Sequence, residues 1–177
     1  SLRSSNNIFR FNEFYNNGLG GIQVVSMEGY TPAHWNHIFH NVFYNNGHEA
    51  EYSGFSGGVY FADWWVGDPT GNVRKNNIFY ENAGGMYTTD AVTDPQIMEG
   101  NWDTGNPLFT DITTPYGPVT ANFPDFRLQE ASGAINNGVF LTTITSTSGS
   151  GTQFTVADAG FFTNGWGMIP GDLIQLE

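Results

Sequence analysis

Two aspartates, Asp63 and Asp90, have the residue type and spacing best suited to chemistry. Each stands five residues after a glycine that opens an alternating run, Gly58-Val59-Tyr60-Phe61-Ala62 and Gly85-Met86-Tyr87-Thr88-Thr89. Laid over a third run, Gly21-Ile22-Gln23-Val24-Val25, the alignment puts Ser26, Asp63 and Asp90 at one position. Two carboxylates on neighbouring strands repel unless they share a proton or a cation. With a shared proton, one is a general acid; about 5 Å between them suits a retaining pair and roughly 6.5–9.5 Å an inverting one. With a shared cation, Ca²⁺ is the natural choice, because the ligands are hard oxygens and the chain has no cysteine. Strict alternation would turn both acids inward, so this site requires the strands to be bending there. The alternative is two ordinary loop acids.

The same alignment sends Gln23, Tyr60 and Tyr87 to the outer face, and alignment on Phe126 adds Arg127. Rungs ~4.8 Å apart would make this a polar and aromatic wall along which a sugar chain could lie. Trp64 and Trp65 follow it, then Asp68, and the longest insertion, residues 48–53, precedes it. The alternative is that tyrosines mark β-propensity and the tryptophans cover an open core. His34, His37, His40 and His48 do not form a metal set by spacing: His37 and His40 fall on opposite faces of a strand. Arg74-Lys75, the adjacent basic pair, matches no motif and is assigned no role.

What must position these residues is a repeat. Asn36-His37-Ile38-Phe39-His40-Asn41-Val42-Phe43-Tyr44-Asn45-Asn46-Gly47 has a relative upstream, from Asn7 to Gly18, and one downstream, Asn76 to Gly84. A weaker copy runs from Ile97 to Trp102. With Asn12, Asn41, Asn77 and Asn101 equivalent, the spacings are 29, 36 and 24 residues. A variable period means a fixed rung with loops of different length. Apolar residues alternate in short runs, which reads as strand, and no helical period is sustained. Ile22, Val24, Val59, Phe61 and Met86 are expected inside.

This pattern resembles the right-handed parallel β-helix family, the fold of pectate lyases and many bacterial secreted or surface glycan-processing proteins. The resemblance implies an all-β solenoid in which Asn12, Asn41, Asn77 and Asn101 form an asparagine ladder. Gly105-Asn106-Pro107-Leu108-Phe109, Asp125-Phe126-Arg127-Leu128-Gln129 and Ser132-Gly133-Ala134-Ile135 are similar to the last coil of bacterial members, with Gly133 for proline and Asn136 for aspartate. It implies a polysaccharide partner and an extracellular or cell-surface location. It also implies, if the protein is an enzyme, a polysaccharide lyase or glycoside hydrolase. The competing expectation is a non-catalytic structural or adhesive solenoid, since one fold hosts many functions.

Residues 1–138 are expected to be coils and 139–177 a hairpin-rich cap or small β module. The Thr-rich run 140–147, the Ser148-Gly149-Ser150-Gly151 turn and the alternating 152–156 read as a hairpin. Both ends are read as truncations, since Ser1 lies close to a repeat and the last residues lie in a strand-like run. A net charge of −12 with 5 basic residues argues against nucleic acid, and against an anionic glycan held by charge alone. No apolar run approaches the ~20 residues of a membrane span.

Overall fold

The computed structural model describes residues 5–27, 33–49, 55–64, 69–90, 97–112, 123–146 and 154–174; at Met27, Asp63, Trp64, Thr88, Thr89, Asp90 and Trp166 it describes the backbone alone. Two compact units divide the chain, Ser1–Val139 and Phe140–Glu177.

The first unit is a parallel β-helix. Each of its first three coils contributes three strands. These are β1 (Ile8–Arg10), β2 (Glu13–Tyr15) and β3 (Ile22–Met27); β4 (His37–Phe39), β5 (Val42–Tyr44) and β6 (Val59–Trp64); β7 (Val73–Lys75), β8 (Ile78–Tyr80) and β9 (Tyr87–Asp90). A fourth coil begins with β10 (Ile97–Glu99) and continues through a parallel bridge from Ile78 to Trp102. Stacking gives three parallel sheets, β1-β4-β7-β10, β2-β5-β8 and β3-β6-β9.

The corners explain why so polar a sequence closes into this shape. One residue before each corner asparagine lies in the left-handed region: Asn6, Trp35 and Gly71 at the first corner; Phe11, His40, Asn76 and Gly100 at the second; Asn16, Asn45 and Glu81 at the third. That residue swings the chain through the bend. The asparagine after it then turns its amide along the stack. At the second corner Asn12, Asn41 and Asn77 each donate both backbone N–H and Nδ2 to the Oδ1 of the next coil's asparagine, ending on Asn101, at 2.9–3.0 Å. This is the expected ladder. Two more stand beside it: Asn7–Asn36–Asn72 at the first corner and Asn17–Asn46–Asn82 at the third. An amide that donates and accepts at once is satisfied within the column, so the asparagines of the second coil are buried at little cost.

Inside, Ile22, Val24, Ile38, Phe43, Val59, Phe61 and Phe79 form the core, with Phe9, Phe14 and Met86 packed against it. Phe14, Phe43 and Phe79 stack as a column, with centroids 5.0 and 4.8 Å apart and planes within 9°. The apolar positions expected inside are therefore there.

The end of this unit departs from expectation. The motifs between Gly105 and Ile135 resemble a last coil, yet their strands join none of the three parallel sheets. Instead β11 (Phe109–Asp111) and β12 (Asp125–Leu128) pair antiparallel with each other. They fold over the outer face of the second sheet, where Phe109 and Phe126 meet Tyr44, with Tyr15 and Tyr80 alongside. The physical reason is the tyrosine column itself, which a solenoid face would otherwise leave wet. Arg127 thus belongs to this hairpin and not to the third sheet.

In the second unit an antiparallel bridge joins Ile144 to Val156, flanked by hydrogen bonds from Thr145 to Thr155 and from Ala157 to Thr143. This small antiparallel module is the expected hairpin. Its tip, residues 147–153, lies outside the described residues. Among the described residues no helix is long and apolar enough to cross a membrane.

Candidate functional site

The third sheet carries the residues singled out above, and its register corrects their grouping. Strands β3 and β6 pair as expected, Gln23 opposite Tyr60 and Ser26 opposite Asp63. Strand β9 is one residue out: Tyr87 lies opposite Val59, Thr88 opposite Tyr60, and Asp90 opposite Ala62. Asp63 and Asp90 therefore do not share a position, and alternation puts them on opposite faces of the sheet at the backbone level. Tyr87 leaves the outer row and joins the inner one. The cause lies in the corners. Ile22 and Tyr87 each begin their strand five residues after a third-corner asparagine, Asn17 and Asn82. Strand β6 begins later, after the insertion that follows Asn46, so β3 and β9 share the asparagine offset and equal offsets from the glycines do not give the register.

The wall of Gln23, Tyr60, Tyr87 and Arg127 is therefore not assembled. Tyr60 does face outward beside Gln23, but it is buried with Val25 and Ala62 under Phe55, whose ring lies 4.6 Å away. Arg127 is held by Asp125, with Nη2 to Oδ2 at 2.6 Å and Nε to Oδ1 at 2.9 Å. Trp64 follows Asp63 at the end of β6 as backbone only; Trp65, Asp68 and residues 50–53 lie outside the described residues. Among the described residues no cluster of three metal-ligating side chains occurs.

Two exposed aromatics of the coils lie elsewhere, on the corners. Trp35 and Phe11 are 55% and 73% exposed and both sit at left-handed φ, 50° and 57°. A bulky side chain there costs backbone energy that glycine or asparagine avoids. The equivalent residues of the neighbouring coils are Asn6 and Gly71 beside Trp35, and His40 and Asn76 beside Phe11.

Trp35 is built in as a platform. Beneath it, Gly71 leaves room: a Cβ there would stand 2.5 Å from Trp35 Cδ1. Beside it lies the His34 ring, 5.2 Å between centroids. His34 is itself fixed, its Nδ1 accepting from the Thr70 backbone N–H at 3.0 Å with the Thr70 hydroxyl 2.8 Å away. The indole thus has a floor and a braced flank, and its outer face is open to water. Phe11 is stacked on His40 at 5.4 Å, with the Arg10 guanidinium 5.9 Å from its ring.

A depression of about 210 Å³ also opens at the second corner, lined by His40, Asn76, Trp102 and Asn137. Two of its polar groups are already committed. Asn76 Nδ2 donates to Val139 O at 2.8 Å while its Oδ1 accepts from Val139 N–H at 2.7 Å, and Trp102 Nε1 donates to Gly105 O at 3.0 Å. This depression ties the chain to the corner and offers a ligand little.

Sequence reasoning missed Trp35 and Phe11 because it scanned strands for outward residues. The signal was present: with the three coils aligned on each corner asparagine, an aromatic stands where neighbours carry Asn, Gly or His.

No family model matches the chain, and neither does any curated protein or solved structure.

Proposed function

We propose that this β-helix is a polysaccharide-binding protein of the secreted or cell-surface kind, of the pectate-lyase-like type that its ladder and terminal motifs resemble. The observation that carries the reading is Trp35: an indole held open to water on a strained corner, over a glycine that makes room for it. An aromatic face of this sort packs against the apolar C–H face of a sugar ring. The net charge of −12 favours a neutral chain, or an acidic one bridged by cations. Binding is preferred to cleavage because Asp63 and Asp90, on which an acid pair or a shared Ca²⁺ was founded, do not share a register position.

Electrophoresis through gels cast with plant, algal and microbial polysaccharides tests this. The intact protein is expected to be retarded by at least one neutral glycan. Trp35→Ala is expected to weaken that retention roughly tenfold, the equivalent of one aromatic stacking contact. Phe11→Ala should have a smaller effect. No retention in any gel, or equal retention of Trp35→Ala, would leave a structural solenoid with incidental aromatics.

A further inference from the structure

Arg74 points into the coil, in register with the core residue Ile38, and is completely buried. Its guanidinium is caged between two rings, with Cζ 4.5 Å from the Phe61 centroid and 4.6 Å from that of Tyr87. The rings close its two flat faces. Its edge carries Nε, Nη1 and Nη2, and none of the three has a hydrogen-bond partner among the described residues. A guanidinium offers five N–H donors in a rigid plane. Leaving all of them unpaired in an apolar interior is among the costliest arrangements a fold can contain. The buried ladder amides beside it, Asn41 and Asn77, are satisfied. The Ser26 hydroxyl, buried on the inner face of β3, is a second unpartnered group of the same interior.

The two walls of the cage differ in exposure. Phe61 is fully buried, whereas Tyr87 is 37% exposed. Below Arg74 in the first sheet stands Met98, its register partner on β10, and it is 36% exposed. Among the described residues, Tyr87 and Met98 are thus the partly exposed side chains beside Arg74.

We propose that Arg74 is an internal binding site for a small monovalent anion, of chloride size, admitted past Tyr87 and held in the plane of the guanidinium. The restriction to small ions follows from the cage. Both faces are occupied, so only an edge-on ligand can enter, and a tetrahedral dianion such as sulfate would have to displace a ring. The site does not depend on the glycan reading, since Trp35 lies on the outside of a corner and Arg74 within the coil.

Thermal melts at constant ionic strength, exchanging sodium gluconate for sodium chloride, test it. The wild-type Tm is expected to rise by roughly 3–6 °C for each tenfold increase of chloride above its dissociation constant, as one-site linkage requires. Sodium sulfate should give no such rise beyond its general salting effect. Arg74→Met should lose the chloride response. Bromide soaked into wild-type crystals gives a readout that needs no variant: an anomalous peak is expected in hydrogen-bond range of the guanidinium edge. A Tm that ignores chloride, a response equal in Arg74→Met, or no bromide peak at Arg74 would overturn the proposal.

Discussion

The corners and the coil interior bury polar groups in opposite ways. At the second corner Asn41, Asn77 and Asn101 each receive two donors from the coil before, and each donates its own Nδ2 onward. Asn77 Oδ1 accepts from Asn41 N–H and Nδ2, while its Nδ2 reaches Ile38 O and Asn101 Oδ1. A few residues away, Arg74 has three nitrogens with no acceptor among the described residues and relies on two ring faces. Both residues are fully buried. Burial alone therefore says nothing about cost; what decides it is whether the repeat supplies a partner one rung away. A translational stack supplies one automatically to a side chain that both donates and accepts. It supplies none to a side chain that only donates.

The sharpest test of that contrast is Asn77→Ala. It removes the acceptor of the Asn41 backbone N–H and the donor to the Ile38 carbonyl, while the Asn41 amide keeps Phe9 O and Phe39 O, and is expected to cost roughly 2–4 kcal/mol at one to two per orphaned group. Asn12→Ala, in the most exposed rung of the same ladder, removes only donors and should cost about 1 kcal/mol or less. Urea unfolding with an unchanged slope measures both, and equal losses would refute the ladder as the unit of stability.

Arg74→Met should go the other way. In chloride-free buffer, replacing an unpaired buried charge by an apolar chain of similar length is expected to raise stability by about 1–2 kcal/mol, the lost ring contacts included. Arg74→Ala leaves a cavity instead and should destabilise. If Met destabilises as much as Ala, the cation is better satisfied than its geometry states. Burial already holds its pKa down to about 10.

The same contrast explains what was legible in the sequence. The ladder Asn12, Asn41, Asn77 and Asn101 could be read directly, because a residue with a column-wide role must recur. The two flanking ladders recur as plainly, at five-residue offsets on either side, yet attention to the Phe-Tyr runs hid them. The third-sheet register was lost for a physical reason: glycines mark where a chain can bend, and asparagines mark where it is bonded. Aligning on Gly85 instead of Asn82 moved Tyr87 and Asp90 by one residue, which in a strand reverses the face. Arg74 could not be read at all. A lone basic residue beside a lysine looks like a solvated pair until the register with Ile38 turns it inward.

His40 offers a smaller test within a corner column. Its Nε2 accepts from Asn76 Nδ2 at 3.3 Å, and its buried Nδ1 has no partner. Burial first, and the Arg10 charge second, hold its pKa below the ordinary 6.5. The unfolded chain therefore takes up a proton near pH 6.5 that the folded chain refuses. Stability should be full above that pH and fall as the pH drops toward the folded value. His40→Asn, which installs the amide found at Asn76 in the next coil, should flatten Tm between pH 5 and 7. An unchanged slope would assign the titration elsewhere.

The smallest expected effect belongs to a charge pair that needs neither ladder nor cage. Arg127 and Asp125 meet on the exposed hairpin, and the Arg127 hydrogen bonds hold the Asp125 carboxyl down to about 2. The folded pKa lies below the ordinary 3.8, so the pair's contribution is present above that pH and is lost as the pH falls through about 2. Both groups are in water, where such pairs contribute little. Arg127→Gln should leave the neutral-pH Tm unchanged within error, while the Asp125 carboxyl, followed by NMR, moves back up toward the ordinary range. Retention in glycan gels should also be unchanged, because the guanidinium is spent on Asp125 and stands on the second sheet's cover. A clear loss of retention in Arg127→Gln would bring this arginine back into the binding surface and shift the glycan from the Trp35 corner to the hairpin.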